Sequence, residues 1–333
     1  MSSNSSEPMK VVCGKCHGKY DVSDLEPFSA FQCPECGTKL RVPRRFERYI
    51  LEKPCGRGGM SNIYRAFDPV LARRVVVKVL TPGGDSEEEF TARFLNEASL
   101  ISKLDHPGLV PIYNCGVWEH QPFLVMRYME HGDLERLQRE GRLPAIPVIA
   151  GWLANVAAGL EHAAAAGIAH HDVKPSNILL TADNCAKLGD FDLADLGDPG
   201  TGERKMLEWG SSGYMSPERI LDGVEDSRGD IFSLGATIYE LFSGVTPFGM
   251  GEDLQLLYDR RAKMDIEPLC RRNRQVPEDF SRLVGRMLSF DPLDRPGYPE
   301  VIAGLRRLSE LKVPEESGSW TERFGNWFKN KKH

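Results

Sequence analysis

Four groups of polar and glycine residues, met in order along the chain, have the types and spacing that moving a phosphoryl group requires. That chemistry needs a cradle for phosphates, a cation to fix them, carboxylate and amide oxygens for Mg²⁺, and a carboxylate beside the acceptor hydroxyl. In CGRGGMSNIYRA, Gly56, Gly58 and Gly59 lie between two strand-like runs, where missing side chains let backbone N–H groups approach phosphate oxygens. Alone, such a loop is commonly just a hairpin. Lys78 sits inside RRVVVKVL, where a lysine among valines is costly unless paired, and Glu97 on the next helix-like segment is its natural partner. A strand-edge lysine reaching out to water is the bland alternative. HHDVKPSNILL places Asp172, Lys174 and Asn177 in one short loop, and KLGDFDLAD places Asp190 after a strand-like run. In such a set Asp172 orients the acceptor hydroxyl, Lys174 offsets charge on the γ-phosphate of ATP, and Asn177 with Asp190 holds Mg²⁺ or Mn²⁺. Each piece alone reads as a polar surface loop; their joint order and spacing set them apart.

A second constellation opens the chain. Cys13-Gly-Lys-Cys16 and Cys33-Pro-Glu-Cys36 are two C-x2-C pairs separated by sixteen residues, a spacing that lets four thiolates converge on one Zn²⁺. A metal supplies the folding energy that ~35 residues cannot draw from a core of their own. A reduced, metal-free segment or a redox pair is the alternative. His17 adjoins a ligand cysteine but is a bystander if four thiolates close the site. Cys55, Cys115, Cys185 and Cys270 are scattered and read as single thiols. Residues 1–45 carry seven Lys and Arg against five Asp and Glu, a net +2, which disfavours nucleic acid as a partner.

These residues need a scaffold, and the surrounding patterns describe one. RYILEKP, NIYRAF and RRVVVKVL read as strands of a small sheet. EEEFTARFLNEASLISKL then sets Phe90, Phe94, Ala98 and Ile101 near helical spacing, and LVPIYNCGVW and QPFLVMRYM return to strand character. From Pro144 on the pattern is mostly helical, with IPVIAGWLANVAAGLEHAAAAG and DIFSLGATIYELFSG as buried helices. Sheet-rich first and helix-rich second predicts a two-lobed α+β enzyme. The expected divisions are a polar leader at 1–8, the cysteine module at 9–43, a main domain at 46–311 and a tail at 312–333. In that tail Trp320, Phe324, Trp327 and Phe328 mark an amphipathic helix. It suits a membrane surface or a partner groove, with packing on its own main domain at least as good a reading. At 333 residues, 41% hydrophobic, 27% charged and a net charge of -6, the composition is that of a globular chain. Nothing in it draws the chain to nucleic acid or an anionic membrane. MSSNSSEPMK lacks the apolar run of a secretory signal, so a cytoplasmic location is expected. No fixed-period internal repeat is evident, which argues against a solenoid.

Over residues ~46–310 the chain resembles the protein kinase superfamily, specifically the bacterial eukaryotic-like Ser/Thr kinases. GRGGMSNIYRA resembles the glycine-rich loop, VVVK the ATP-contacting lysine motif, HHDVKPSN the catalytic loop, DFD the metal motif and SPE the end of the activation segment. The resemblance implies that Cys55, Gly56, Gly58, Gly59 and Ser61 line the phosphates, while Ile63, Val76 and Leu179 sandwich adenine. It also makes Met126 the gatekeeper, with the backbones of Arg127 and Met129 facing the base. Asp230 is expected to anchor the catalytic loop, and Arg295 to pair with Glu218. Lys174, two residues after Asp172, is the Ser/Thr signature, which implies protein substrates phosphorylated on Ser or Thr. GSSGYMSPE is expected to form the wall beside the residue after the acceptor. The cysteine module resembles short bacterial zinc ribbons, with KYDV and KLRVP as its strands.

Three positions depart from the pattern: Ser61 for the last loop glycine, His171 for the arginine before the catalytic aspartate, and Asp192 for the glycine of the metal motif. His171 removes the usual cation for a phosphorylated loop. That predicts a loop ordered largely without phosphate, with Arg204 and Lys205 as substitute cations and Thr201, Ser211 and Ser212 as candidate phosphosites. Two other functions use the same residues: a nucleotide-binding pseudokinase, and a zinc-ribbon adaptor whose kinase-like domain only binds partners.

Overall fold

The computed structural model describes residues 8–57, 61–81, 87–191, 212–222, 226–249, 251, 253–263 and 266–311. Residues 1–7 of the leader, Gly58, Gly59, Asp192, Thr201, Arg204, Lys205, Ser211 and the tail after 311 lie outside the described residues. The chain forms two compact units. One holds residues up to Lys103 together with Pro111–Tyr128; the other holds Leu104–Val110 and the chain from Met129 on.

The first unit begins with two short hairpins, β1 (Lys10–Val12) with β2 (Lys19–Asp21) and β3 (Ala30–Gln32) with β4 (Lys39–Arg41). Their middle residues, Val11 opposite Tyr20 and Phe31 opposite Leu40, are the more buried ones, as period-2 alternation requires. Tyr20 and Phe31 meet edge to face, centroids 6.4 Å apart. The hairpins are copies of one another twenty residues apart: Cys13 and Cys33, Val22 and Val42, and the left-handed His17 and Gly37 are equivalent positions. Cys13 N donates to Gly18 O and Cys33 N to Thr38 O, closing both turns alike. This two-copy repeat corrects the expectation that the chain has no fixed-period repeat, though two copies are too few for a solenoid.

Six strands follow in the order β5-β6-β7-β8-β10-β9. They are β5 (Arg44–Phe46), β6 (Tyr49–Arg57), β7 (Ser61–Asp68), β8 (Arg73–Leu80), β9 (Ile112–Trp118) and β10 (Gln121–Arg127), with α1 (Glu87–Ile101) between β8 and β9. The sheet starts at Arg44, two residues before the expected boundary, because Arg44–Phe46 pairs with Tyr49–Leu51. Alternation sorts its side chains. Val75, Val77, Val79, Ala66, Phe123 and Val125 fill a core on one face, where Phe28 from the hairpin linker stacks on Tyr64 at 5.5 Å. The helix α1 buries Phe90, Phe94, Ala98 and Ile101, the four positions its spacing predicted, and packs on β9 and β10.

The second unit is mainly helical: α2 (Leu134–Arg139), α3 (Ile146–Ala165), α4 (Pro217–Asp222), α5 (Ser227–Ser243), α6 (Leu254–Lys263), α7 (Leu269–Arg272), α8 (Glu278–Met287) and α9 (Tyr298–Ser309). One hairpin, β11 (Ile178–Leu180) with β12 (Ala186–Leu188), lies between α3 and α4. The helices α3 and α5 are apolar nearly all round and therefore run through the core. Asp226 caps α5 by accepting from Arg228 N, and Gly244 ends it at φ 82, a left-handed turn that costs glycine little. Among the described residues, no helix is long and apolar enough to cross a membrane.

Candidate active site

In the first unit, register decides which residues share the face opposite the valine core. Ile63 pairs with Lys78, Lys78 with Leu124 and Val76 with Met126. Side chains opposite one another in a ladder point the same way, so Ile63, Val76, Lys78 and Met126 form one surface. Lys78 and Val76 are half-buried and Met126 is buried. Ser61 pairs with Leu80 and Gly56 with Ile63, so both ends of the glycine-rich turn are fixed in the ladder of β6, β7 and β8. Cys55 and Gly56 are exposed. Glu97 is half-buried on α1, one residue before the buried Ala98. Arg127 N donates to Pro111 O, which ends β10.

In the second unit, the loop at 170–177 hangs on one buried carboxylate. Asp230, in the first turn of α5, accepts from the backbone N–H groups of His170 at 2.7 Å and His171 at 2.8 Å. The ring of His170 is fully buried; its Nε2 lies 3.0 Å from Gly189 O, and its Nδ1 accepts from Asp172 N. That pairing fixes the Nε2–H tautomer, and burial lowers the His170 pKa to about 4, so the ring is neutral. His171 is left-handed at φ 66, and its carbonyl accepts from Arg219 on α4. Arg219 is a cation the sequence reading did not single out. Thr237 Oγ1 donates to Val173 O, a third tie to α5.

The catalytic candidates of this loop converge. Lys174 Nζ is 2.7 Å from Asp172 Oδ2, and Asn177 Nδ2 donates to both the carbonyl and Oδ2 of Asp172 at 2.8 Å. Asp172 remains a quarter exposed, so a hydroxyl can reach it. Gly189 N donates to Asn177 O, which places Asp190 beside the same loop; Asp190 itself is left-handed at φ 58. Leu179 is half-buried on β11, and Met129 is buried at the start of the unit's main segment.

The 212–218 stretch is anchored separately. Arg295, its side chain wholly buried, holds Glu218 with a two-pronged pair at 2.6 and 2.8 Å. Tyr214 donates its hydroxyl to Glu240 on α5; burial and this carboxylate raise the tyrosine pKa, and burial raises that of Glu240. Ser212 is buried.

The four cysteines of the hairpin turns gather their Sγ atoms within 4.8 Å of one another. Cys13 and Cys36 are 3.5 Å apart, and Cys16 and Cys33 3.4 Å. Burial opposes ionisation of Cys33, yet the Tyr20 hydroxyl at 3.0 Å and the N–H groups of Cys36 and Glu35 bring its pKa down to about 6. Against the backbone bond from Gly18, burial and the neighbouring thiols push Cys16 up to about 12.

A kinase-type loop, its buried aspartate anchor and a six-stranded sheet presenting a lysine define a class. The protein kinase domain family matches residues 49–304, and the chain belongs to that family. It is 35% identical over 288 residues to the serine/threonine-protein kinase PknL of Mycobacterium tuberculosis, spanning 84% of this chain and 71% of that one. It is 31% identical over 249 residues to PrkC of Bacillus subtilis, spanning 74% of this chain and 38% of PrkC. The PknI kinase domain of M. tuberculosis superposes with a TM-score of 0.61 at 23% identity, over 80% of this chain and 97% of that domain, a likeness of fold.

Proposed function

We propose that this chain transfers the γ-phosphoryl group of ATP to serine and threonine hydroxyls of proteins. One observation carries the reading: Asp172, Lys174 and Asn177 form a single hydrogen-bonded set on a loop fixed from beneath by Asp230. A carboxylate held this way accepts a hydrogen bond from the acceptor hydroxyl and orients it for in-line attack. Lys174, 2.7 Å from Asp172 Oδ2, would offset the charge that develops on the γ-phosphate. Relatives named as serine/threonine-protein kinases favour catalysis over a scaffold reading.

For nucleotide, the surface of Ile63, Val76 and Met126 is apolar, and the resemblance to protein kinases assigns adenine to these residues, to Leu179 and to the backbones of Arg127 and Met129. Cys55, Gly56, Gly58, Gly59 and Ser61 cradle the phosphates, and Lys78, oriented by Glu97, fixes them. The donor set suits Mg²⁺: Asn177 spends its Nδ2 on Asp172, leaving its amide oxygen for a cation, and Asp190 adds a hard carboxylate. Mg²⁺, when bound, neutralises charge on the phosphates.

Residues 9–43 constitute a zinc-ribbon module and 46–311 the kinase domain. Four Sγ atoms around one Zn²⁺ at ~2.3 Å would stand about 3.8 Å apart, and the cluster, with its 3.4 and 3.5 Å pairs, is close to that size. Elemental analysis of metal-replete protein should give one zinc per chain, lost in the Cys13→Ser, Cys36→Ser variant; zinc-free wild-type protein would remove the metal from the account. For the kinase, Lys78→Met and Asp172→Asn should each abolish transfer while leaving the protein folded. Near-normal turnover in either purified variant overturns its assigned role.

A further inference from the structure

Arg261, in the last turn of α6, is the largest fully buried side chain among the described residues, at 0% exposure. A guanidinium taken out of water is costly and survives only where its donors are met. Among the described residues, its hydrogen-bond partners are all backbone carbonyls. Nε donates to Met215 O at 2.8 Å, NH2 to Ser212 O at 2.6 Å, and NH1 to Leu257 O at 2.9 Å on its own helix. Its Cζ lies 5.0 Å from the centroid of the Phe248 ring and 5.8 Å from that of Phe232, so aromatic faces add to its surroundings. Among the described residues, Arg261 forms no ion pair with a carboxylate. Burial and neighbouring Arg260 lower its pKa to about 10, which still leaves it charged at neutral pH.

An apolar side chain against Phe232 and Phe248 would avoid the cost of burying a charge. It would also strand the carbonyls of Ser212 and Met215, which lie in a buried stretch with neither helix nor sheet partners. The carbonyl between them is met in the same manner, from α5: Ser233 Oγ donates to Tyr214 O at 2.8 Å. Side chains of α5 and α6 thus hold the carbonyls of residues 212, 214 and 215. This stretch runs directly into Ser216, Pro217 and Glu218, the last fixed by Arg295.

We propose that Arg261 is a positioning residue for the protein acceptor, holding the Ser212–Met215 backbone in the shape that receives the chain beside the phosphorylated residue. The proposal rests on the phosphotransfer function above and on the 212–216 stretch as its acceptor wall. The clamp is part of the fold and needs no phosphate to form. It acts on acceptor binding, and the nucleotide residues lie elsewhere in the chain.

The test uses the full chain as wild type, Arg261→Met, Arg261→Lys and Ser233→Ala, with myelin basic protein as acceptor. Arg261→Met should raise the KM for the acceptor by about tenfold or more, with the KM for ATP changed less than about twofold. Arg261→Lys, with one nitrogen in place of a three-nitrogen fork, should restore the acceptor KM only in part. Amide hydrogen exchange should quicken in residues 212–216 and stay unchanged at 170–177. Parallel changes in both KM values, or an unchanged acceptor KM, overturn the proposal. If Arg261→Met does not fold, Ser233→Ala decides, since it removes only the donor to Tyr214 O: a rise in acceptor KM alone supports the clamp, and no rise refutes it. Wild-type protein inert toward acceptor and ATP alike would sink the catalytic reading. Exchange at 212–216 would then still judge the clamp, with unchanged rates in Arg261→Met counting against it.

Discussion

Replacing Glu218 by glutamine changes one atom's chemistry beside a buried arginine of the second unit. Arg295 has five N–H donors, and all are used: two on Glu218, and the others on the carbonyls of Ser289, Arg228 and Phe290. The arginine side chain is 0% exposed and the glutamate 18%. In Glu218→Gln the amide oxygen can accept one guanidinium N–H, while its NH2 faces the other and leaves a buried charge without a counter-ion. Removing one partner of a buried pair costs about 3–5 kcal/mol, and the partial exposure of Glu218 puts this case near 3. At ~2–4 °C per kcal/mol for a unit of this size, Tm should fall by about 6–12 °C. Arg295→Lys should cost at least as much, because a single ammonium cannot reach carbonyls on three sides. Calorimetry and urea unfolding of the full chain measure both. A Glu218→Gln loss below about 1 kcal/mol would refute the view that this pair, rather than packing alone, fastens the 212–218 stretch.

Two other perturbations test the core around the catalytic loop. His170 has a pKa of about 4 when folded and 6.5 when unfolded. Between those values the unfolded chain takes a proton that the native one refuses, so stability should fall by about 3 kcal/mol as pH drops from 6.5 to 4. Urea midpoints across that range should slope less in His170→Phe than in wild type; equal slopes would contradict the buried neutral ring. Gly108→Ala would put a methyl 1.9 Å from the Asn155 carbonyl on α3, whereas the one added in Gly151→Ala stands 3.6 Å from Ser309. The first should lose about 1–3 kcal/mol or more and the second lose nothing or gain, by thermal melts; equal melting temperatures would count against the tight Gly108 approach.

Much of the catalytic unit could be read from the sequence because its signals are local. Alternation in RRVVVKVL gave a strand with Lys78 facing away from Val75, Val77 and Val79, and the ladder pairs it with Ile63 as that pattern demands. The spacing of Phe90, Phe94, Ala98 and Ile101 gave α1 within a few residues of its bounds. HHDVKPSN put Asp172 and Asn177 five residues apart in a loop tight enough for their side chains to bond. What escaped was contact across long separations with backbone as partner. Arg261 in DRRAK reads as one more solvent-facing base, since a carbonyl 46 residues away leaves no trace in side-chain pattern. Arg219 and His171, 48 residues apart, are the same case. Phe28, in a linker between cysteine hairpins, gave no sign that it would stack on Tyr64 of the sheet, because one aromatic in a loop has no period.

The central claim is phosphoryl transfer from ATP to protein hydroxyls through the Asp172 loop. The purified 333-residue chain, incubated with γ-³²P-labelled ATP, Mg²⁺ and myelin basic protein, should label the acceptor. Acid hydrolysis should then release phosphoserine and phosphothreonine without phosphotyrosine, and Asp172→Asn, still folded by circular dichroism, should label nothing. Labelling that persists undiminished in Asp172→Asn, or wild-type protein that binds ATP and transfers no label to the acceptor or to itself, would contradict the account.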